Sequence, residues 1–212
     1  MSKYQFTNEW FNISAGTKWD ELIRVLNPEK ILEIGSYEGA SATYLIDNIK
    51  HPIELHCIDT WEGGVEHIDA TTPETQNINM QEVEKRFLSN TNIAINNAKN
   101  KVKLKIHKGA SAIKLAGLLS QGFSNYFDFI YIDGSHQACD VLMDAVLSFK
   151  LTRIGGVIAF DDYVWAETIH PQDKNILRCP KLAIDSFINI HFNKIHIIET
   201  SKTQVYIQKT SV

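Results

Sequence analysis

Carboxylates recur at the ends of short apolar runs in this chain, at spacings that suit the capture of a ligand. The first run is Lys30-Ile31-Leu32-Glu33-Ile34-Gly35-Ser36-Tyr37-Glu38-Gly39-Ala40. It reads as a buried strand that passes through a glycine turn into a helix. Gly35 lets the backbone turn tightly or approach a ligand closely, and Gly39 is expected to let the next helix sit hard against the sheet. The N-terminus of that helix offers unpaired N–H groups to a carboxylate or phosphate. A nucleotide-like ligand is the first expectation. His56-Cys57-Ile58-Asp59 ends a second run. Asp59 follows Gly39 by the roughly 20 residues expected of an acid that accepts from ribose hydroxyls; the plainer alternative is a turn cap.

A second group of acids follows later. Asp133-Gly134-Ser135-His136 closes one apolar run and Asp161-Asp162-Tyr163 closes another. Ligands of open α/β sheets bind outside the carboxyl ends of the strands. Asp133, Asp161 and Asp162 are therefore expected at one rim. Three carboxylates together repel one another, and such hard oxygen donors suit Mg²⁺, with Ca²⁺ or Mn²⁺ as alternatives. Adjacent strand residues face opposite ways, so Asp161 and Asp162 share a metal only if the chain leaves the strand there. His136 either takes a proton from a substrate or caps the helix beginning near 137. Thr60-Trp61-Glu62-Gly63-Gly64 and Val65-Glu66-His67 follow Asp59; Trp61 either covers a flat ring from a mobile flap or anchors the loop in the core. Tyr163 and Trp165 are expected to floor a substrate pocket, with packing an equal reading for Trp165.

The elements that position these residues alternate. Strands are expected near 30–34, 53–59, 102–107, 127–133 and 156–161, with helices near 39–49, 79–98, 111–120, 137–151 and 180–192. Ala138, Val141, Leu142, Ala145, Val146 and Phe149 form one apolar stripe. Gly155-Gly156 is read as the turn into the fifth strand. Ahead of the first strand, Trp19, Leu22, Ile23 and Leu26 mark an amphipathic helix, with Thr17 and Asp20 as its capping pair and Pro28 as its stop. It is expected beside the sheet or over the ligand mouth. Ile195-His196-Ile197-Ile198 and Val205-Tyr206-Ile207 flank a closing hairpin. The alternation predicts a parallel sheet with right-handed crossovers and helices on both faces. A single domain is expected over 1–212, with an N-terminal helical segment at 1–28 and the α/β core at 29–212.

Glu33-x-Gly35-x-x-x-Gly39 resembles motif I of the class I methyltransferases that use S-adenosylmethionine. Tyr37 stands where a dinucleotide fingerprint needs glycine, which disfavours an NAD-dependent oxidoreductase. I-D-G-x-H followed by G-G-V-I-x-F-D-D-Y is similar to the cation-dependent small-molecule O-methyltransferases of the catechol and macrolide-sugar types. The resemblance covers nearly the whole chain. It implies a Rossmann-like fold, a mostly parallel seven-stranded sheet whose last strand is antiparallel. It also implies a cofactor site at Glu33, Gly35, Ser36, Tyr37, Gly39, Asp59, Thr60, Trp61 and Asp133. Gly109, Ala110 and Ser111 would line the adenine, where Ser111 has the alternative of capping a helix. Asp133, Asp161 and Asp162 would hold a divalent metal such as Mg²⁺, and His136 would be the general base. The acceptor would be a small hydroxylated molecule. A metal-independent methyltransferase and a non-catalytic cofactor-binding protein are the rival expectations.

Bulk properties agree with this class. The chain has 212 residues, enough for one α/β core, and 44% hydrophobic and 22% charged residues, an ordinary globular balance. Its net charge of −4 does not favour a nucleic-acid surface. No apolar run approaches a membrane span, and Met1-Ser2-Lys3-Tyr4-Gln5 lacks a signal-peptide core. Cys57, Cys139 and Cys179 form neither a disulfide framework nor a zinc site, and no zinc spacing joins His170, His191 and His196. A cytoplasmic setting is the default, without nucleic-acid or membrane partners and compatible with a homodimer.

Overall fold

Every apolar run singled out above forms a strand. The computed structural model describes residues 3–65, 78–167, 170, 172 and 174–212, with the backbone alone at 16 and 17. Strands β1 (Lys30–Ile34), β2 (Ile53–Asp59), β3 (Val102–Lys108), β4 (Phe127–Ile132), β5 (Thr152–Phe160), β6 (Ile195–Thr200) and β7 (Val205–Lys209) build one sheet. Its order is β3-β2-β1-β4-β5-β7-β6. The first five strands run parallel, and β7 is antiparallel to both β5 and β6. Strand order reverses between β1 and β4. Their carboxyl ends therefore open the crevice where such sheets bind ligands.

Helices α1 (Trp10–Ser14), α2 (Gly16–Leu26), α3 (Ala40–Asn48) and α4 (Met80–Asn97) contribute to the core on one face; α5 (Ser111–Ser120), α6 (Ala138–Leu151) and α7 (Pro180–His191) contribute on the other. Strand alternation divides the core. Ile31, Phe129, Tyr131, Val157 and Ala159 face the first layer. Leu32, Ile34, Ile130, Ile132, Ile158 and Phe160 face the second. Trp19 of α2 packs edge-on against Phe129 and Tyr131, with centroids 5.2 and 4.7 Å apart. The N-terminal helix thus lies beside the sheet, as its apolar face requires. Among the described residues no helix is long and apolar enough to cross a membrane.

Four local expectations are corrected. The backbone at α2 starts at Gly16 with Ala15 as N-cap, so Thr17 lies inside the helix, and Asp20 accepts a hydrogen bond from the Tyr44 hydroxyl. Strand β5 begins at Thr152, directly after α6, and Gly155-Gly156 lies within it. Its pairing with β4 shifts between Phe127 and Phe129, and a Cβ on Gly156 would stand 2.9 Å from the Phe127 carbonyl oxygen. These glycines accommodate a bulge. Val146 is exposed and falls outside the buried stripe of α6. Gly39, in the left-handed region at φ 81°, abuts Phe87 and Thr91 of α4 instead of the sheet. Glu66, His67, Pro171 and Asp173 lie outside the described residues.

Two buried basic side chains of this core are paired. The Lys209 ammonium is buried at the C-terminal end of α6 and donates to the Asn125 side chain and to the Phe149 and Thr152 carbonyls, at 2.7, 2.8 and 2.9 Å. It uses all three N–H groups where the helix dipole favours a cation. His56 is buried between β2 and the second layer. Its Nε2 meets Glu54 Oε1 at 2.8 Å and its Nδ1 meets His107 Nε2 at 3.1 Å.

Two stability predictions follow from these pairs. Lys209→Met should lower the unfolding free energy by about 2–3 kcal/mol, because it strands buried carbonyl acceptors, measured as the urea midpoint. Burial, joined by the nearby His107 and Lys105 charges and opposed by Glu54, pulls the His56 pKa down to about 4. The unfolded chain therefore takes up the proton first as pH falls. Stability should decline on acidification from about 6.5, the free-imidazole value, towards 4, and His56→Gln should flatten that window in urea titrations run across pH.

Candidate active site

Backbone hydrogen bonds continue one residue past the strand ends and set the rim in a row. Gly109 N–H donates to Asp59 O, Gly35 N–H to Ile58 O, Asp133 N–H to Ile34 O and Asp161 N–H to Ile132 O, all between 2.8 and 2.9 Å. The sequence-predicted residues of β1, β2, β3, β4 and β5 thus meet along one edge. Gly35 fixes how closely. It has φ 85°, and a Cβ there would lie 1.9 Å from the Asp133 carbonyl oxygen and 2.7 Å from the Gly134 Cα. Only glycine permits that approach.

The turn after β1 is built on buried carboxylates. Glu33 is fully buried and accepts from the hydroxyls of Ser36 and Ser41; burial raises its pKa against the pull of these donors. Asp59 Oδ2 accepts from the Ser36 and Tyr37 amides at 2.9 and 2.8 Å, and Oδ1 from the Trp61 amide at 2.7 Å. Burial raises its pKa, while these amides draw it down. From this position Asp59 clamps the glycine turn to the end of β2. Trp61 is an anchor: its ring packs on Phe87, and Nε1 donates to the Tyr37 carbonyl at 2.9 Å. Ala110 holds the N-cap position of α5 and Ser111 opens the helix without capping it.

Glu38 gave no sequence signal beyond its place among the variable positions of the turn. It is buried and accepts from the Thr7 amide, the Thr7 hydroxyl and Arg86 Nε at 2.7, 2.8 and 2.6 Å. The Asn90 amide receives the Gln5 N–H and donates to the Gln5 and Glu38 carbonyls. The N-terminal segment is therefore laced over the turn, with the Trp10 ring 5.4 Å from that of Tyr37. Ser14, at the end of α1, donates to Asp161 Oδ2 at 3.1 Å. One short segment thus spans both halves of the rim. No sequence pattern marks Thr7, Asn90 or Ser14, because each acts through a tertiary contact.

The acidic half gathers around Asp161. Asp133, Tyr131 and Asp161 face the first layer, and Asp161 also accepts from the Tyr131 hydroxyl and the Asp162 amide. Asp162 adopts φ 55° just past the end of β5, so the chain does leave the strand there. Its Oδ2 meets His136 Nε2 at 2.8 Å. The His136 ring stacks on Trp165, with centroids 3.9 Å apart at 22°. His136 therefore pairs across the mouth, and Gln137 holds the N-cap position of α6. Tyr163 points to α7, where its hydroxyl donates to Asp185 and receives Lys181 Nζ.

The three aspartates expected as metal ligands reach one mouth without forming a chelating cluster. Among the described residues no three His, Cys, Asp or Glu side chains stand in ligating geometry; Asp161 is engaged by Tyr131 and Ser14, and Asp162 by His136. The donor chemistry nonetheless fits a small hard cation. Burial, then repulsion from Asp161 and Asp162, pushes Asp133 well above the usual carboxylate range, and burial with Asp162 raises Asp161 to about 6. A pocket of about 10 Å³ lies among Asp133, His136, Asp161 and Asp162, close to the space of one water molecule.

Comparisons with known proteins identify the family and the fold. A family model described as a methyltransferase domain matches residues 32–163. "Probable caffeoyl-CoA O-methyltransferase 3" of Dictyostelium discoideum is 29% identical over 166 residues, which are 75% of this chain and 56% of that protein. The chain thus spans little more than half the length of the curated relatives it matches. An O-methyltransferase from Bacillus cereus, solved in complex with SAH (S-adenosylhomocysteine), has a TM-score of 0.62 at 15% identity and covers 98% of this chain and 84% of its own. MycE methyltransferase from the mycinamycin biosynthetic pathway, solved with Mg and SAH, has a TM-score of 0.59 at 17% identity and covers 99% of this chain and 52% of its own. These structures establish the shared fold, the Rossmann-like methyltransferase sheet.

Two glycines of the turn should respond differently to a methyl group. Gly39→Ala should cost about 1–2 kcal/mol for its left-handed backbone, since its nearest neighbour is the edge of the Phe87 ring at 3.0 Å. Gly35→Ala meets backbone and should cost clearly more, read as the difference in unfolding midpoint between the two variants.

Proposed function

The chain belongs to the methyltransferase-domain family, and from that membership we propose that it transfers the methyl group of S-adenosylmethionine to a hydroxyl of a small molecule, assisted by a divalent cation. The observation that carries the reading is the meeting of Asp59 and Asp133 on either side of a single glycine turn, with His136 and Asp162 beside it. Gly35, Ser36, Tyr37 and Asp133 would receive the methionine part of the cofactor. Asp59 and Thr60 would receive the ribose; a carboxylate offers about four lone-pair sites, so the three amides on Asp59 leave room for a hydroxyl. Gly109, Ala110 and Ser111 would flank the adenine. Glu33, Gly39 and Trp61 act from beneath by holding the turn. Bound there, the cofactor supplies a methyl group activated by its sulfonium.

Asp133, Asp161 and Asp162 are the residues that would hold Mg²⁺, which would lower the pKa of the acceptor hydroxyl and fix its oxygen. His136 takes the acceptor proton. Its Nε2 meets Asp162, whose carboxylate offsets the charge of the imidazolium. Trp165 restricts the ring to one plane, so the acceptor is oriented before the methyl moves. A metal-independent variant of the same reaction is favoured by one observation, the engagement of Asp161 by Tyr131 and Ser14. The acceptor oxygen would then be held by the aspartates directly.

Calorimetry with SAH should show saturable binding that Asp59→Ala weakens at least about tenfold, equivalent to one buried charged hydrogen bond; absence of binding at millimolar ligand would refute the methyltransferase reading. Methyl transfer to a panel of hydroxylated acceptors should fall in EDTA and recover with Mg²⁺, and Asp133→Asn should remove the Mg²⁺ stimulation. Full turnover in EDTA selects the metal-independent route.

A further inference from the structure

A second cavity, of about 300 Å³, lies at the opposite rim of the sheet. It is lined by Glu54 at the start of β2, Lys103 and Lys105 of β3, and the turn carrying Gly122, Phe123 and Tyr126 after α5. Glu54 pairs in register with Lys103, five residues before Asp59 pairs with Lys108. At about 3.3 Å per residue the cavity is roughly 16 Å from the cofactor rim.

Its chemistry combines aromatic faces with ordered cations. The Phe123 and Tyr126 rings meet edge-on, with centroids 4.8 Å apart. Lys105 Nζ lies 5.2 Å from the Phe123 centroid and Lys30 Nζ lies 4.4 Å from that of Tyr126. Glu54 holds Lys105 at 2.8 Å and Lys103 at 2.9 Å. Hydrogen bonds from His56 and the two lysines outweigh desolvation and hold its pKa down at about 2, so it stays charged and fixes both ammonium groups. In the lining a single carboxylate stands against Lys103 and Lys105, which leaves the cavity positive in a chain of net charge −4. Each lysine bound to Glu54 through one N–H retains two more donors. Gly122, at φ 90°, has nothing within 4 Å of where a Cβ would stand, so the floor is open.

We propose that this cavity is a second ligand site, for a small planar aromatic anion whose ring packs on Phe123 and Tyr126 and whose carboxylate, sulfonate or phosphate binds Lys103 and Lys105. The site is an open groove, not an enclosed pocket, with room for a one- or two-ring ligand. Lysines on an edge strand also discourage strand pairing. Lys108, which turns away to Glu84, serves that purpose alone, whereas Lys103 and Lys105 converge on one carboxylate beside two rings. The site stands independently of the methyl-transfer reading, since it shares no residue with the cofactor rim.

Titration of the full chain with 1-naphthyl phosphate tests it, using calorimetry and amide chemical shifts. The expected result is one saturable site, with shifts confined to residues around 54, 103–105 and 121–126. Affinity should fall at least about tenfold in Lys103→Ala with Lys105→Ala, and again in Phe123→Leu, as expected for the loss of an ion pair and of an aromatic contact. Lys103 is largely exposed, so Lys103→Ala by itself remains informative if another variant fails to fold. Inorganic phosphate should bind at least about tenfold more weakly than the probe; equal affinity overturns the aromatic specificity. No saturation up to about 10 mM, unchanged affinity in the variants, or shifts centred on the Asp59 and Asp133 rim overturns the site.

Discussion

The approach of the Gly35 backbone to the Asp133 carbonyl is the constraint on which the site rests. Strands β1 and β4 are neighbours, yet the segments that follow them leave in different directions, one into α3 and the other towards α6. At the point of divergence the two backbones pass with no room for a Cβ between them. The glycine turn and the acidic mouth thereby share one edge. Without that contact the carboxylate of β2 and those of β4 and β5 would still lie at strand tips, but no common cleft would join them.

Charge is used in two ways along this edge. Glu33 and Glu38 are buried and Asp59 is half-buried, and each accepts from several donors: hydroxyls for Glu33, amide, hydroxyl and guanidinium for Glu38, backbone amides for Asp59. Buried charges so satisfied give a turn a single conformation. Asp133, Asp161 and Asp162 differ. Burial and then mutual repulsion, incompletely offset by Tyr131, Ser14 and His136, raise the pKa values of Asp133 and Asp161. The first half is rigid, and the second is electrostatically receptive to a positive charge.

Much of this could be read from the chain alone. Four of the five parallel strands were legible because both faces are covered, and a doubly covered strand must be a continuous apolar run; β3, at the sheet edge, shows instead the alternation of Val102, Leu104 and Ile106 with polar residues. The helices were legible from their apolar faces, and the closing hairpin from the turn residues between two β-branched segments. The start of β5 was not, because Gly155-Gly156 signals a turn locally while the bulge opposite Phe127 is set by the neighbouring strand. In the site, the acids at strand ends were legible because topology alone brings those ends together. Glu38 was passed over, since the identity of its partners, Thr7 and Arg86, depends on how distant segments pack. Asp59 was read as a ligand contact or a turn cap; it does cap the Trp61 amide, while its hold on the Ser36 and Tyr37 amides has no local signature. Trp61 was left between two readings, and its burial against Phe87 decided for the anchor.

The lacing of the N-terminal segment has a consequence for entry to the cleft. Thr7 is tied to Glu38 at one end and Ser14 to Asp161 at the other, so the stretch between them behaves as a latch with two catches. Lifting it far enough to admit a large molecule strips a donor from a carboxylate in each half simultaneously. One stretch of chain thus bears on both halves of the rim.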